Sequence, residues 1–84
     1  MGCRNVNSGN KAALDICKRN PQAILQVMQL DLSSLASVNQ FADKISEQED
    51  IVDILVNNAG VMMCPLEKSK DGFELQFATN HLGE

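Results

Sequence analysis

The sequence predicts an α/β protein in which parallel strands are joined by helices. Segments with apolar residues at helical spacing alternate along the chain with short runs rich in apolar and β-branched residues. Parallel strands need helical crossovers, and open sheets of this kind bind ligands at the carboxyl ends of their strands. We therefore expect functional residues directly after the runs that end at Cys3, Leu30 and Val56.

Three segments are predicted to be helices because their apolar residues recur every three or four positions. They comprise residues 8–19, a segment that begins at Ser33 or Ser34 and passes through Ile45, and residues 71–82. Ser8 is the expected N-cap of the first helix, and Asn20-Pro21 ends it. Asp71, with Glu74 three residues later, resembles a capping box that opens the third helix.

Two apolar runs and one stub are predicted to be strands. Ala23–Leu30 is short, apolar and partly β-branched, and it ends before Asp31. Ile51–Val56 is almost continuously apolar, which is typical of a strand buried on both faces of a parallel sheet. Met1–Cys3 has the length of a strand stub. The alternation of helix and strand therefore extends along the whole chain.

Composition limits the chain to one small globular unit of 84 residues, 44% of them hydrophobic and 21% charged. Seven basic and eleven acidic residues give a net charge of −4, which argues against nucleic acid as a partner. The three cysteines are widely spaced, which favours a reduced intracellular compartment and predicts no metal site. The sequence has no tyrosine, so none of its side chains can donate a phenolic proton.

Asn57-Asn58-Ala59-Gly60 is the most specific candidate for a functional site. Two amides after a buried strand would be unsatisfied unless they held neighbouring backbone groups, and Ala59 and Gly60 allow a ligand to approach the main chain. The alternative is an ordinary turn, because Asn and Gly are common turn residues.

Three further side chains each allow two interpretations. Arg4 could hold a phosphate in a bidentate fork, or it could be a solvated surface residue. Asp31 could accept a hydrogen bond from an exocyclic amine, or it could favour the start of the second helix through the helix dipole. Asn80 is either a site residue or an exposed helical amide, and the neighbouring His81 has no partner at metal-ligand spacing.

Five blocks of sequence together resemble the short-chain dehydrogenase/reductase family, and within it the retinol dehydrogenase-like branch. The blocks are Cys3-Arg4-Asn5, Leu30-Asp31-Leu32-Ser33, residues 57–62, Asp71-Gly72-Phe73-Glu74 and Asn80-His81-Leu82-Gly83. The resemblance implies a partial Rossmann-type doubly wound parallel sheet, from a second-strand stub to the helix after strand four. It also implies an oxidoreductase that moves hydride between NADP(H) and a carbonyl or alcohol.

The resemblance assigns the adenosine end of the cofactor to three residues. Arg4 matches the basic residue that pairs with the ribose 2′-phosphate in NADP-preferring members. Asp31 matches the acid that contacts the adenine amine, with the Leu32 main chain beside it.

The resemblance assigns the remaining roles to the amide block and to the third helix. Asn57 matches a residue that steadies the central sheet, Asn58 matches a cofactor-binding residue, and Ala59 and Gly60 match the residues that line the ribose and nicotinamide path. Asn80 matches the amide of the Asn-Ser-Tyr-Lys tetrad, whose backbone carbonyl holds a water of the proton relay.

The family's glycine-rich phosphate turn and its Ser, Tyr and Lys fall outside these residues. We therefore expect residues 1–84 to be an incomplete NADP-binding Rossmann domain that is inactive by itself. The complete protein would take an apolar, retinoid- or steroid-like carbonyl or alcohol. The alternative is a non-catalytic binding or dimerising module, which leaves a homo-oligomer open. Relatives occur at the endoplasmic reticulum, mitochondria or plastids, so the compartment is also open.

The family's strand order is 3-2-1-4-5, which has a consequence for the two predicted strands. It makes Leu25–Leu30 the third strand and Ile51–Val56 the fourth, with strands two and one between them. We expect neither strand to find its neighbour, which would leave apolar edges unpaired.

Overall fold

A computed structural model describes all residues, 1–84, and they form two units, Met1–Leu30 and Asp31–Glu84. The first unit contains β1 (Gly2–Cys3), α1 (Val6–Arg19) and β2 (Met28–Gln29). The second contains α2 (Leu35–Gln48) and α3 (Leu75–Phe77), which continues directly into a π-helical turn, Ala78–Leu82. The predicted α/β class is confirmed. No helix has the length and apolar character needed to cross a membrane.

The sheet of the first unit consists of two parallel strands. Gly2 pairs with Met28 and Cys3 with Gln29. The Met28 N–H donates to the Met1 carbonyl at 2.9 Å, and the Leu30 N–H donates to the Cys3 carbonyl at 3.0 Å. The expectation that the third strand lacks a neighbour is therefore wrong, because the stub at the start of the chain supplies one. β2 is shorter than the predicted Ala23–Leu30 because that stub offers only two residues to pair with.

Helix α1 packs closely against this small sheet through Gly9, which is buried. A Cβ at Gly9 would lie 2.7 Å from Cγ1 of Val27 and 2.9 Å from Sγ of Cys3, so only glycine fits here without displacement. The helix ends at Arg19, as predicted. Its N-cap is Asn5, whose side chain accepts a hydrogen bond from the Ser8 N–H at 3.0 Å. The prediction of Ser8 as the N-cap is wrong, because the helix already includes that residue.

Helix α2 begins where the sequence predicts. Of the two candidate caps, Ser34 is the N-cap, and its hydroxyl accepts from the Ser37 N–H at 3.4 Å. The Ser33 hydroxyl instead donates to Oδ1 of Asp31 at 2.6 Å. Position 34 alone therefore combines an extended backbone with an oxygen aimed at the first turn.

The prediction of a strand at Ile51–Val56 is wrong, because these residues form no strand. No strand lies beside the run, and its residues are solvent-exposed, with Ile54 at 79% and Leu55 at 75%. A central parallel strand needs neighbours for its N–H and C=O groups and a covering layer on both faces. Apolar composition alone supplies neither, so the run stays irregular.

The third helix begins later than predicted because the preceding residues form a tight hairpin. The Ser69 N–H donates to the Phe73 carbonyl at 2.7 Å, and the Leu75 N–H donates to the Glu67 carbonyl at 2.9 Å. Gly72, with φ of +86°, occupies the left-handed conformation that closes the turn. The prediction that Asp71 opens this helix is wrong: Glu74 is the N-cap and accepts from the N–H groups of residues 76 and 77.

Candidate functional site

The Asn80 side chain holds the main chain directly after the Asn-Asn-Ala-Gly block. Its Oδ1 accepts a hydrogen bond from the Val61 N–H, and its Nδ2 donates to the Val61 carbonyl, each at 2.8 Å. A primary amide can do this because its donor and acceptor lie side by side. Asn80 belongs to a continuous helical segment, residues 75–82, which we call the Asn80 helix. The helix therefore holds the backbone at Val61, the residue directly after the amide block.

The amide block itself (residues 57–60) is exposed to solvent. Neither Asn57 nor Asn58 makes a side-chain hydrogen bond within the chain, because the run before them is not buried in a sheet. A Cβ on Gly60 would lie 3.4 Å from Oδ1 of Asn80, so the block passes close to the Asn80 amide. The roles of these residues and of Ala59 toward a ligand stay predictions.

Asp31 organises the turn that leads into α2. Its Oδ1 accepts from the Ser33 N–H at 2.9 Å and from the Ser33 hydroxyl, while its own N–H donates to Oγ of Ser37 at 2.9 Å. The Ser34 N–H donates to the Asp31 carbonyl at 3.1 Å. We call residues 31–34 the Asp31 loop. These bonds support the helix-starting interpretation of Asp31, and contact with an adenine stays a prediction.

The Leu32 main chain of this loop lies directly against Gly83, a contact that sequence reasoning missed. A Cβ on Gly83 would overlap the Leu32 carbonyl oxygen and lie 2.9 Å from the carbonyl carbon. Gly83 is buried, although it follows an otherwise helical pattern. An isolated glycine in such a pattern often has a packing reason, and that was the available signal.

Asp71 makes a second contact that sequence reasoning missed. Its Oδ2 accepts from the Leu35 N–H, the first of α2, at 2.9 Å. The first N–H groups of a helix have no partner within the helix, so a carboxylate from elsewhere in the chain can satisfy one. Asp71 therefore stabilises the start of α2 rather than the start of α3.

Arg4 belongs to the first unit and follows β1 directly. Its backbone carbonyl accepts from Nε2 of Gln29 at 2.9 Å. Its exposed guanidinium makes no hydrogen bond or ion pair within the chain. The position agrees with the solvated interpretation and leaves all five donors available to an anion.

Comparison with known proteins gives one consistent family. The family profile described as short chain dehydrogenase matches residues 1–83. Retinol dehydrogenase 13 of Homo sapiens is 48% identical over 83 residues, which are 99% of this chain and 25% of that protein. Short-chain dehydrogenase TIC 32 B, chloroplastic, of Brassica napus is 43% identical over 83 residues, which are 99% of this chain and 26% of that protein.

A solved structure extends the similarity to the fold. The crystal structure of an uncharacterized protein from Mycobacterium Paratuberculosis matches with a TM-score of 0.81 and 42% identity, over 99% of this chain and 28% of that chain. This match confirms a partial Rossmann-type α/β fold. The chain spans about a quarter of the length of the curated relatives it matches. It belongs to the short-chain dehydrogenase family, in the branch that contains the retinol dehydrogenases.

Proposed function

We propose that residues 1–84 supply the adenosine-binding part of an NADP(H)-dependent oxidoreductase, as an incomplete Rossmann domain. The reaction would transfer hydride from NADPH to a carbonyl carbon while a proton is added to the oxygen, or the reverse from an alcohol. The observation that carries the proposal is the Asn80 helix. Its Asn80 side chain binds Val61, beside the amide block, and Gly83, the residue that follows the helix, lies against Leu32, in the Asp31 loop. Two of the three segments that match the family's cofactor contacts are thus held by residues 80–83, and Arg4 is the third.

The preference for NADP(H) over NAD(H) rests on Arg4. An unpaired, exposed guanidinium at the end of a strand can bind a 2′-phosphate through two parallel hydrogen bonds. An acidic residue at this place would instead repel the phosphate and accept from a free 2′-hydroxyl. The bound cofactor would supply the hydride, and the chain would supply charge and shape at the adenosine end.

Asn80 is proposed to act through its backbone. Its side-chain amide is already bound to both backbone groups of Val61, so the main-chain carbonyl is the group left to hold a water of a proton relay. The π-helical turn around Asn80 replaces regular α-helical hydrogen bonding, and such turns are frequent at functional sites. Gly60 lies beside Asn80, and because it has no side chain a ligand can approach the main chain of the amide block there.

Catalysis needs a proton donor that these residues do not contain, since they include no tyrosine. We therefore propose that the chain binds nucleotide but does not turn over alone. The proposed substrate class, an apolar retinoid- or steroid-like carbonyl or alcohol, is supported by the similarity to retinol dehydrogenases. Met62 and Met63, which are largely exposed just after the amide block, would suit an apolar ligand.

Calorimetric titration of the 84-residue chain with two nucleotides tests the cofactor proposal. Adenosine 2′,5′-bisphosphate should bind about ten- to a hundredfold more tightly than adenosine 5′-monophosphate, since one charge-assisted contact is worth that much. Equal affinities, or no binding of either nucleotide, would contradict it. Steady oxidation of NADPH with retinal by this chain would contradict the proposed lack of turnover.

A second candidate function is a non-catalytic binding or dimerising module. The observation that favours it is the exposed apolar run Ile51–Val56, whose backbone has no neighbouring strand. The run could add to the sheet of a full-length relative. Co-purification of the chain with such a relative, lost when Ile54 is replaced by Lys, would support this function. A chain that sediments alone in the presence of the relative would exclude it.

A further inference from the structure

Gly83 is a glycine because of space and not because of backbone conformation. Its φ of −77° and ψ of −26° are values that any residue adopts. A Cβ at this position would nevertheless overlap the Leu32 carbonyl oxygen, and it would lie 3.0 Å from the Leu32 Cβ. The obstacle is main chain, which cannot rotate away as a flexible side chain could. A residue with any side chain at position 83 must therefore displace the Leu32 backbone.

The Asn80 helix and Gly83 attach two loops to one element. Asn80 binds Val61 after the amide block, and Gly83, three residues later, lies against Leu32 in the Asp31 loop. The far end of the Asp31 loop is held as well, because Asp71 binds the Leu35 N–H. The main chain around the Asp31 loop thus contacts the segment 71–83 at two points, Leu32 and Leu35.

We propose that Gly83 is a positioning residue for the Asp31 loop. By lacking a side chain, it sets the distance between that loop and the Asn80 helix, and so places Asp31 and Leu32 for contact with the adenosine end of a nucleotide. The proposal deepens the proposed function and rests on it for the identity of the ligand. Gly83 itself touches no ligand and acts only through Leu32.

The test compares Gly83→Ala with Glu84→Ala, a neighbouring exposed position, in the 84-residue chain. In Gly83→Ala, the amides of Ser33 and Ser34 should exchange with solvent about ten- to a hundredfold faster, because overpacking displaces the loop that holds them. The Val61 amide, which Asn80 binds, should keep its rate. Glu84→Ala should leave all three rates unchanged.

Two measurements separate a positioning role from general support of the fold. In Gly83→Ala, affinity for adenosine 2′,5′-bisphosphate should fall about tenfold, while Glu84→Ala should keep the affinity of the unaltered chain. In the unaltered chain, proton magnetic resonance should show a close contact between the Gly83 α-protons and Leu32. Absence of that contact, or faster exchange at Val61 to the same degree as at Ser33, would overturn the proposal.

The experiment also distinguishes this proposal from the proposed function. If the unaltered chain binds no nucleotide but Gly83→Ala still releases the Ser33 and Ser34 amides selectively, the cofactor proposal fails and the positioning of the loop stands. If nucleotide binds normally to both chains, the cofactor proposal stands and the role of Gly83 is wrong.

Discussion

Asn80 binds both backbone groups of Val61, at 2.8 Å each, as a neighbouring strand would. The contact joins positions 19 residues apart and holds a segment that has no regular secondary structure of its own. One side chain thereby holds the backbone at residue 61, which no strand pairs with. The geometry gives Asn80 a structural role in addition to any role of its carbonyl.

Replacement of Asn80 should speed the exchange of the Val61 amide with solvent, because Asn80 makes both hydrogen bonds to Val61. Asn80→Asp keeps an oxygen for the Val61 N–H but loses the donor to the carbonyl, whereas Asn80→Ala loses both bonds. Each neutral hydrogen bond is worth about 0.5–1.5 kcal/mol. Amide exchange at Val61 should therefore rise about tenfold in the Ala variant, and it should also rise in the Asp variant, whose second carboxylate oxygen would face and repel the Val61 carbonyl oxygen. Identical exchange rates in the unaltered chain and both variants would show that the two hydrogen bonds between Asn80 and Val61 do not persist in solution.

The N-cap of α1 is Asn5 in the structure, whereas the sequence pattern predicts Ser8, and two substitutions distinguish these assignments. Asn5→Ala should reduce the stability of the first unit by about 1 kcal/mol, because the Ser8 N–H loses its acceptor. Ser8→Ala should be neutral or slightly stabilising, since alanine is the better residue inside a helix. Thermal unfolding followed by circular dichroism measures both changes. A larger loss in Ser8→Ala would restore Ser8 as the cap.

Asp71 should matter for α2 although it lies far away in sequence. Asp71→Ala removes the acceptor of the Leu35 N–H and a negative charge at the start of the helix, at a cost of about 0.5–2 kcal/mol. The Leu35 amide should exchange faster and the helical signal should fall. Asp53→Ala, which removes an exposed carboxylate from the irregular run, is the matched control. Equal effects of both substitutions would assign the change to net charge alone.

The proposed function predicts that Arg4 determines the choice between phosphorylated and unphosphorylated ribose. Arg4→Gln should abolish the ten- to hundredfold preference for adenosine 2′,5′-bisphosphate, a factor expected of about one charge-assisted contact. Arg4→Lys should retain part of it, because lysine keeps the charge but not the planar fork. Lys11→Gln changes net charge equally at an exposed site on α1 and should retain all of it.

The sequence predicted those features that depend on neighbours along the chain. The start of α2 at Leu35 follows from Ser34 and from local apolar spacing, so it needed no knowledge of the rest of the fold. The end of α1 at Arg19 likewise follows from Asn20-Pro21. The family blocks, including the one that contains Asn80, were also recognisable because their residues are contiguous.

The sequence could not predict features that depend on distant partners. Ile51–Val56 has the composition of a buried strand, yet a strand exists only where another backbone pairs with it. The contacts of Gly83 with Leu32 and of Asp71 with Leu35 are tertiary, so a local pattern can at most indicate close packing at Gly83 and cannot identify either partner. Asp71 was misjudged for a related reason: its spacing to Glu74 imitates a cap, but Gly72 turns the chain between them.

From the parallel pairing of Gly2 with Met28 we expect a particular order of events in folding. Pairing of two such short strands contributes little free energy, while closing the flexible connection between them costs conformational entropy. The 14 residues of α1 lie within the connection, and once they are helical only the residues on either side of the helix stay flexible. Helices form on a faster timescale than distant strands associate. Helix α1 should therefore form before β1 pairs with β2, and this strand pairing should be the first to be lost when the chain is warmed.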